Sequence, residues 1–195
     1  MSKQKLLILL IFTLLSGRSF AQKEFNTITE FGVKGGMFPY RSFIVGNIEG
    51  TPLMTQMVGG RFLYVSEKHL GMILELNYLN VSDAVDKVNY QYSCVELPFL
   101  AQINFAPGNS LIGINFGSFT EVIASKDPKL YLDNDVQFGM AAGLSYSYAI
   151  KKLVLTAEGR YHYGFTTNNT DDETMRPQWV EFSVAISWRK LKPKS

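Results

Sequence analysis

The stretch Gly139–Phe165, GMAAGLSYSYAIKKLVLTAEGRYHYGF, separates into two chemistries when every second residue is taken. Met140, Ala142, Leu144, Tyr146, Tyr148 and Ile150 fall on one phase, with Gly139, Ala141, Gly143, Ser145, Ser147 and Ala149 on the other. After Lys151 and Lys152 the pattern restarts: Leu153, Leu155, Ala157, Gly159, Tyr161 and Tyr163 stand against Val154, Thr156, Glu158, Arg160 and His162. A period of two is the period of a β-strand, whose side chains alternate between the faces of a sheet. Two such strands joined by a two-residue turn make a hairpin, with one oily face and one small or charged face.

The same alternation recurs along the chain, in segments near Glu30–Phe38, Thr55–Ser66, His69–Asn80, Tyr90–Phe105, Ser110–Ala124, Asp135–Ile150, Lys152–Phe165 and Gln178–Arg189. Each is long enough to cross a bilayer as a tilted strand, which takes roughly 9 to 11 residues. The connections alternate in length. PYRSFIVGNIEGTPL, VSDAVDKVN, SKDPKLYLDN and TTNNTDDETMRP are long, while Glu67-Lys68, APGN and Lys151-Lys152 are short. Outer-membrane barrels sort their loops in this way, with short periplasmic turns and longer extracellular loops. The expected fold is all-β: an eight-stranded antiparallel up-and-down transmembrane β-barrel. A spanning sheet must close on itself, because an unpaired backbone amide in hydrocarbon costs several kcal/mol.

The amino terminus fits an exported protein. MSKQKLLILLIFTLLSGRSFAQ places Lys3 and Lys5 before an apolar run from Leu6 to Leu15, followed by Ser19 and Ala21. This is the layout of a signal peptide over residues 1–21, which leaves residues 22–195 as one barrel domain. Cys94 is the single cysteine, so no intrachain disulfide is expected and a buried or lumenal thiol is its plain reading. The formal net charge is +2, without a basic stripe interleaved with aromatics, so nucleic acid is excluded as a partner.

Closure turns one face of each strand to lipid and the other to the lumen. A charge on the lipid face near the midplane costs about 2–4 kcal/mol. Lys34, Arg61, Glu75, Glu96, Glu121, Glu158, Arg160 and Glu181 all fall on the phase opposite their strand's oily residues. They are the expected lumenal polar network, joined by Asn77, Gln102, Asn104, Asn115 and Gln137. The interior of an eight-stranded barrel is just wide enough for side chains to fill. The expectation is a plugged polar lumen without a water-filled pore.

Several strands carry a resemblance. SCVELPFLAQINF, with Glu96-Leu97-Pro98 inside a long strand, resembles a strand of the small outer-membrane β-barrel family that includes the PorT-like proteins. FGVKGGMFPY is similar to that family's first strand, LGMILELNYLN to its third and LTAEGRYHYGFTTNN to its penultimate strand. The resemblance runs from about Glu30 to Arg189. It implies an eight-stranded barrel in a Gram-negative outer membrane, in a family some of whose members are connected with type IX protein secretion. Within it, Pro98 lacks an amide proton and predicts a bulge or a locally unpaired carbonyl. Trp188 lies on the oily phase with Val180, Phe182, Val184 and Ile186, where an internal signal for the barrel-insertion machinery would sit. The basic tail Arg189–Ser195 follows it.

Chemistry-bearing patterns are sparse. His69 sits beside a turn, and His162 lies on the lumenal phase within reach of a carboxylate such as Glu158, without a serine signature beside it. Gly139 and Gly143 have helix-dimer spacing, but on a strand they make room for larger neighbours. Asp171, Asp172 and Glu173 form a solvated run in the last long loop and lack calcium-loop spacing. No catalytic residue, cofactor or metal is assigned, and the protein reads as a non-enzyme. The favoured function is a structural or interaction barrel that meets outer-membrane lipid and presents its outer loops to an envelope or secretion partner. Two other readings stay open: a lipid-modifying enzyme using His162, and a soluble lipocalin-like binding barrel with oily residues inside.

Overall fold

The computed structural model describes residues 26–43, 55–85, 88–105, 109–126, 134–166, 168–169, 174–175 and 177–192. The leader read over residues 1–21, most of the SFIVG segment and the acidic run Asp171–Glu173 lie outside them.

The strands are β1 (Thr27–Phe43), β2 (Thr55–Glu67), β3 (Leu70–Val85), β4 (Val88–Phe105), β5 (Ser110–Lys126), β6 (Val136–Ile150) and β7 (Leu153–Gly164), then β8 (Asn168–Asn169), β9 (Thr174–Met175) and β10 (Pro177–Lys192). Each of β1 to β6 pairs antiparallel with the next, β7 pairs with β10, and β10 returns to β1, so eight strands close a barrel. β8 and β9 form a separate small hairpin inside the last long connection. The two-residue turn after β6 places Lys151 at a φ of 59°, the left-handed region that lets a tight hairpin follow the twist of its strands.

The barrel strands run past the expected boundaries, most clearly in the β3–β4 hairpin. VSDAVDKVN, read as a long loop, is mostly paired strand, and its ladder continues to Val85 opposite Val88. Apolar patterning ends where hydrocarbon ends, whereas backbone pairing remains favourable in water and carries the hairpin outward.

Proline marks two irregularities. The β1–β10 register shifts between Met37 and Tyr40, the interval that holds Pro39. At Pro98 the ladder with β3 lapses between Leu74↔Phe99 and Asn77↔Glu96 and then resumes in the same register, while Pro98 keeps its place opposite Phe119 on β5. The missing amide therefore interrupts pairing on one side without a bulge.

The polarity is the reverse of a soluble barrel. Leu144 is 62 % exposed and Phe182 56 %, while Glu96 is fully enclosed and Arg160 only 2 % exposed. A lipocalin would have the opposite arrangement, and that reading is set aside. The expected polar filling is present, and apolar residues join it toward both ends of the lumen. Leu63, Val65, Ile73, Leu100 and Leu111 pack inside toward the turn end, and Phe38, Met57, Leu79, Cys94, Phe119 and Trp179 toward the loop end. Only the middle of the barrel holds a dense set of charges. Near the ends, apolar groups fill space without unmet hydrogen bonds, whereas a charge needs partners converging from several strands.

Candidate functional site

The candidate site is the lumen, built from side chains on the inward phase of every barrel strand. Small residues flank the long ones around the wall. Lys34 on β1 lies between Ala185 on β10 and Gly59 on β2, and Arg160 on β7 lies opposite Gly143 on β6. A β-carbon at Gly143 would collide with the Gly159 carbonyl and the Arg160 side chain, and one at Gly139 with the Tyr163 carbonyl and the Phe119 ring. This size alternation explains the glycine- and serine-rich phase of the Gly139–Phe165 stretch: those positions yield space to arginine and phenylalanine from neighbouring strands. Gly143→Leu is expected to press on the β7 backbone at Gly159 and on the Arg160 side chain, and to cost about 1–3 kcal/mol as an overpacking change. Urea unfolding in detergent measures this; an unchanged midpoint would show that the space at Gly143 is not needed.

At the centre, Lys34 Nζ reaches Glu75 at 2.9 Å, Glu158 at 3.2 Å and Glu181 at 2.6 Å. The Arg160 guanidinium donates two hydrogen bonds of 2.7 Å to the two carboxylate oxygens of Glu75, and its Nη2 is 2.8 Å from Glu158. A planar fork on a planar carboxylate is the strongest common geometry for such a pair. Arg61 Nε lies 3.4 Å from Glu75. Asn77 donates to Glu96 at 3.0 Å and Asn115 to Glu158 at 2.6 Å. Glu121 is buried opposite Glu96 on β4 and Gln137 on β6.

These contacts tie β1, β2, β3, β4, β5, β7 and β10 together across the bore. Two cations sharing carboxylates offset the large cost of removing each charge from water, which a lone ion would bear in full. Sequence phase places all eight charged residues on the inward face; it does not reveal that Glu75 is the hub.

His162 is fully buried, with Nε2 3.0 Å from Glu181 and Nδ1 3.2 Å from Glu96. The expected partner Glu158 is instead taken by Lys34, Arg160 and Asn115. The imidazole stacks on Trp179 with ring centroids 4.8 Å apart, and Phe119 lies 5.0 Å from the same indole. Phe38 stands edge-on to it at 6.3 Å. This aromatic group covers the loop-end side of the charged layer. Sequence reading missed it, because Trp179, Phe38 and Phe119 are apolar residues on the polar phase. The pair Glu30–Arg189, at 2.7 Å near the turn end, was also missed; Arg189 looks like part of a basic tail until β10 is seen to continue to Lys192. His69 Nδ1 meets the Asn104 carbonyl at 2.9 Å beside its turn.

Outside, Phe31, Val33, Leu76, Phe116, Leu144, Leu155, Phe182 and Val184 form a continuous apolar surface. Aromatic residues with polar tips stand toward its borders. The Tyr161 hydroxyl donates to Gln178 at 2.6 Å near the loop end, and Tyr146 shares a 2.9 Å hydrogen bond with Ser110 near the turn end. An apolar wall with satisfied backbone, aromatic borders and an ionic centre defines a membrane-spanning β-barrel of the outer-membrane type.

Solved structures share the fold. OprG, an outer-membrane protein of Pseudomonas aeruginosa, matches with a TM-score of 0.55 at 10 % identity over 87 % of this chain and 97 % of that one. Neisserial surface protein A matches at 0.54 and 13 % identity, over 83 % of this chain and 96 % of that one. A major outer-membrane protein of Thermus thermophilus matches at 0.53 and 13 % identity, over 83 % of this chain and 99 % of that one. No protein-family model and no curated protein sequence matches the chain.

Proposed function

We propose that this chain is an integral barrel of a Gram-negative outer membrane that acts through its loop end, holding long connections out to an envelope or secretion partner. The observation that carries this reading is the closed bore. The Lys34–Glu75–Arg160 cluster and the Phe38–Phe119–Trp179 group meet across it, so passage of solutes is not what the lumen is built for. Contact with outer-membrane lipid follows from the apolar wall, and Trp188, outward-facing on the last strand, is the position offered to the insertion machinery. Kinship with the PorT-like barrels belongs to the same reading.

In planar bilayers the purified barrel is expected to show no stable open channel. A large, steady single-channel conductance would contradict the closed lumen. Pull-downs from native membranes, with each long connection shortened in turn, test the interaction role; it predicts that one shortened version loses a partner that the intact chain retains. If no version changes what is captured, a passive structural role replaces it.

The lipid-modifying alternative has His162 as its base. His162 is buried among Glu96, Glu181 and Trp179, with both ring nitrogens already facing carboxylates, and no serine stands among these contacts to serve as a nucleophile. Deacylation of lipid A by the purified protein, abolished in His162→Ala, would reinstate it.

A further inference from the structure

The turn end of the barrel carries a patch that neither the lumen nor the outer loops account for. Lys151 and Lys152 form the β6–β7 turn, and Lys190 and Lys192 lie on the last residues of β10; all four are exposed. The two groups are adjacent, because β7 pairs with β10 and the Arg189 amide donates to the Lys152 carbonyl at 2.7 Å. Trp188, 59 % exposed, stands directly inward of Lys190 on the same face of β10, with the Lys152 ammonium 6.0 Å from its ring centroid. Leu153 and Ile150 continue the apolar surface beside it.

Charge balance here is one-sided. Among the described residues, the only carboxylates on β1, β6, β7 and β10 are Glu30, Glu158 and Glu181, and all three are buried in the lumen. No ion pair among the described residues involves any of the four lysines. Among the described residues, then, four ammonium groups without a carboxylate partner sit just beyond the edge of the apolar wall, at the depth of lipid headgroups, with an indole at the border. At the same end the β4–β5 turn contains no lysine and the β2–β3 turn sets its single Lys68 beside Glu67, so lysines without a neighbouring carboxylate gather at the β6–β7 turn and the end of β10.

We infer that this edge, Lys151, Lys152, Lys190 and Lys192 around Trp188, binds the phosphate of an anionic phospholipid in the leaflet at the turn end of the barrel. The ammonium groups neutralise the phosphodiester, and the Trp188 ring packs against the glycerol and upper acyl region. The inference rests on the membrane-spanning reading and adds a lipid class and a sector to it.

The test uses the mature chain folded into nanodiscs of phosphatidylcholine alone and of phosphatidylcholine mixed with phosphatidylglycerol, with protein-bound lipid counted by native mass spectrometry after detergent release. The comparison is with Lys151→Asn, Lys152→Gln, Lys190→Gln, Lys192→Gln combined, asparagine being chosen for the left-handed position. Lys126→Gln, at the loop end, is the control. Each lysine near an anionic surface contributes roughly fivefold in affinity, so the wild type should retain phosphatidylglycerol at least about tenfold over the quadruple variant. The control should match the wild type, and added salt should erode the preference. Equal retention by wild type and quadruple variant would overturn the inference, as would equal retention of both lipids by the wild type. Heat-modifiable gel mobility checks that each variant is folded, and the two double variants, at the turn and on β10, keep the test decisive should the quadruple one misfold. Failure of the wild type to insert into either nanodisc would instead sink the membrane reading itself.

Discussion

Arg160→Met is expected to destabilise the barrel by about 3–5 kcal/mol, the range for removing one partner from a buried ion pair. The loss exceeds that of an ordinary core truncation because of what stays behind. Glu75 loses both hydrogen bonds of its bidentate contact, and Glu158 loses a cation 2.8 Å away. Lys34 is then the single ammonium within 3.2 Å of Glu75, Glu158 and Glu181 together. Reversible urea unfolding in detergent micelles reads the change directly. Adding Glu75→Gln to Arg160→Met should recover part of the loss, because it removes one of the stranded charges; the two sites share partners and cannot be additive. A cost below about 1 kcal/mol would place Arg160 in water, as expected of an exposed pair and not of this one.

The second large effect lies on the other side of the wall. Leu144 is near the middle of β6 and points outward, so Leu144→Arg puts a guanidinium into hydrocarbon and should cost about 2–4 kcal/mol. Tyr148 shares that face two strand repeats nearer the turn, level with Ser110 at the start of β5. There an arginine can extend to the headgroups, and Tyr148→Arg should cost about 0–1 kcal/mol. The gradient between the two positions is the diagnostic quantity. Equal costs would mean that the oily face does not lie across a bilayer.

Much of this architecture is legible before any coordinates. The period of two in Gly139–Phe165 fixes which residues face outward, and the alternation of long and short connections fixes an even-stranded meander whose termini share one end. Phase also sorts charge: Glu158, Arg160 and Glu181 can be placed inside without knowing their partners. Partner choice was not legible, because lumenal contacts run across the bore between strands far apart in sequence. Arg160 on β7 meets Glu75 on β3, 85 residues away. Nothing local distinguishes Glu75 as the hub, or assigns His162 to Glu96 and Glu181 instead of Glu158. The aromatic group around Trp179 escaped for a different reason. An alternation argument assigns apolar residues to lipid and polar ones to the lumen, so an inward tryptophan reads as noise until Phe38 and Phe119 arrive beside it from β1 and β5. Strand ends were misjudged where pairing outlasts the membrane, as in β3 and β4.

The oily face meets acyl chains, and the charged face is sealed within the cylinder. With Cys94 replaced by alanine, single nitroxide labels at Leu144, Leu155 and Phe182, and at Ser145, Thr156 and Ser183 beside them, can be compared in lipid vesicles for collision with oxygen and with a water-soluble nickel chelate. High oxygen and negligible chelate access are expected at the first three, and low oxygen access at the second three. Chelate access at Leu144, Leu155 and Phe182 equal to that of a label at exposed Lys151 would contradict it.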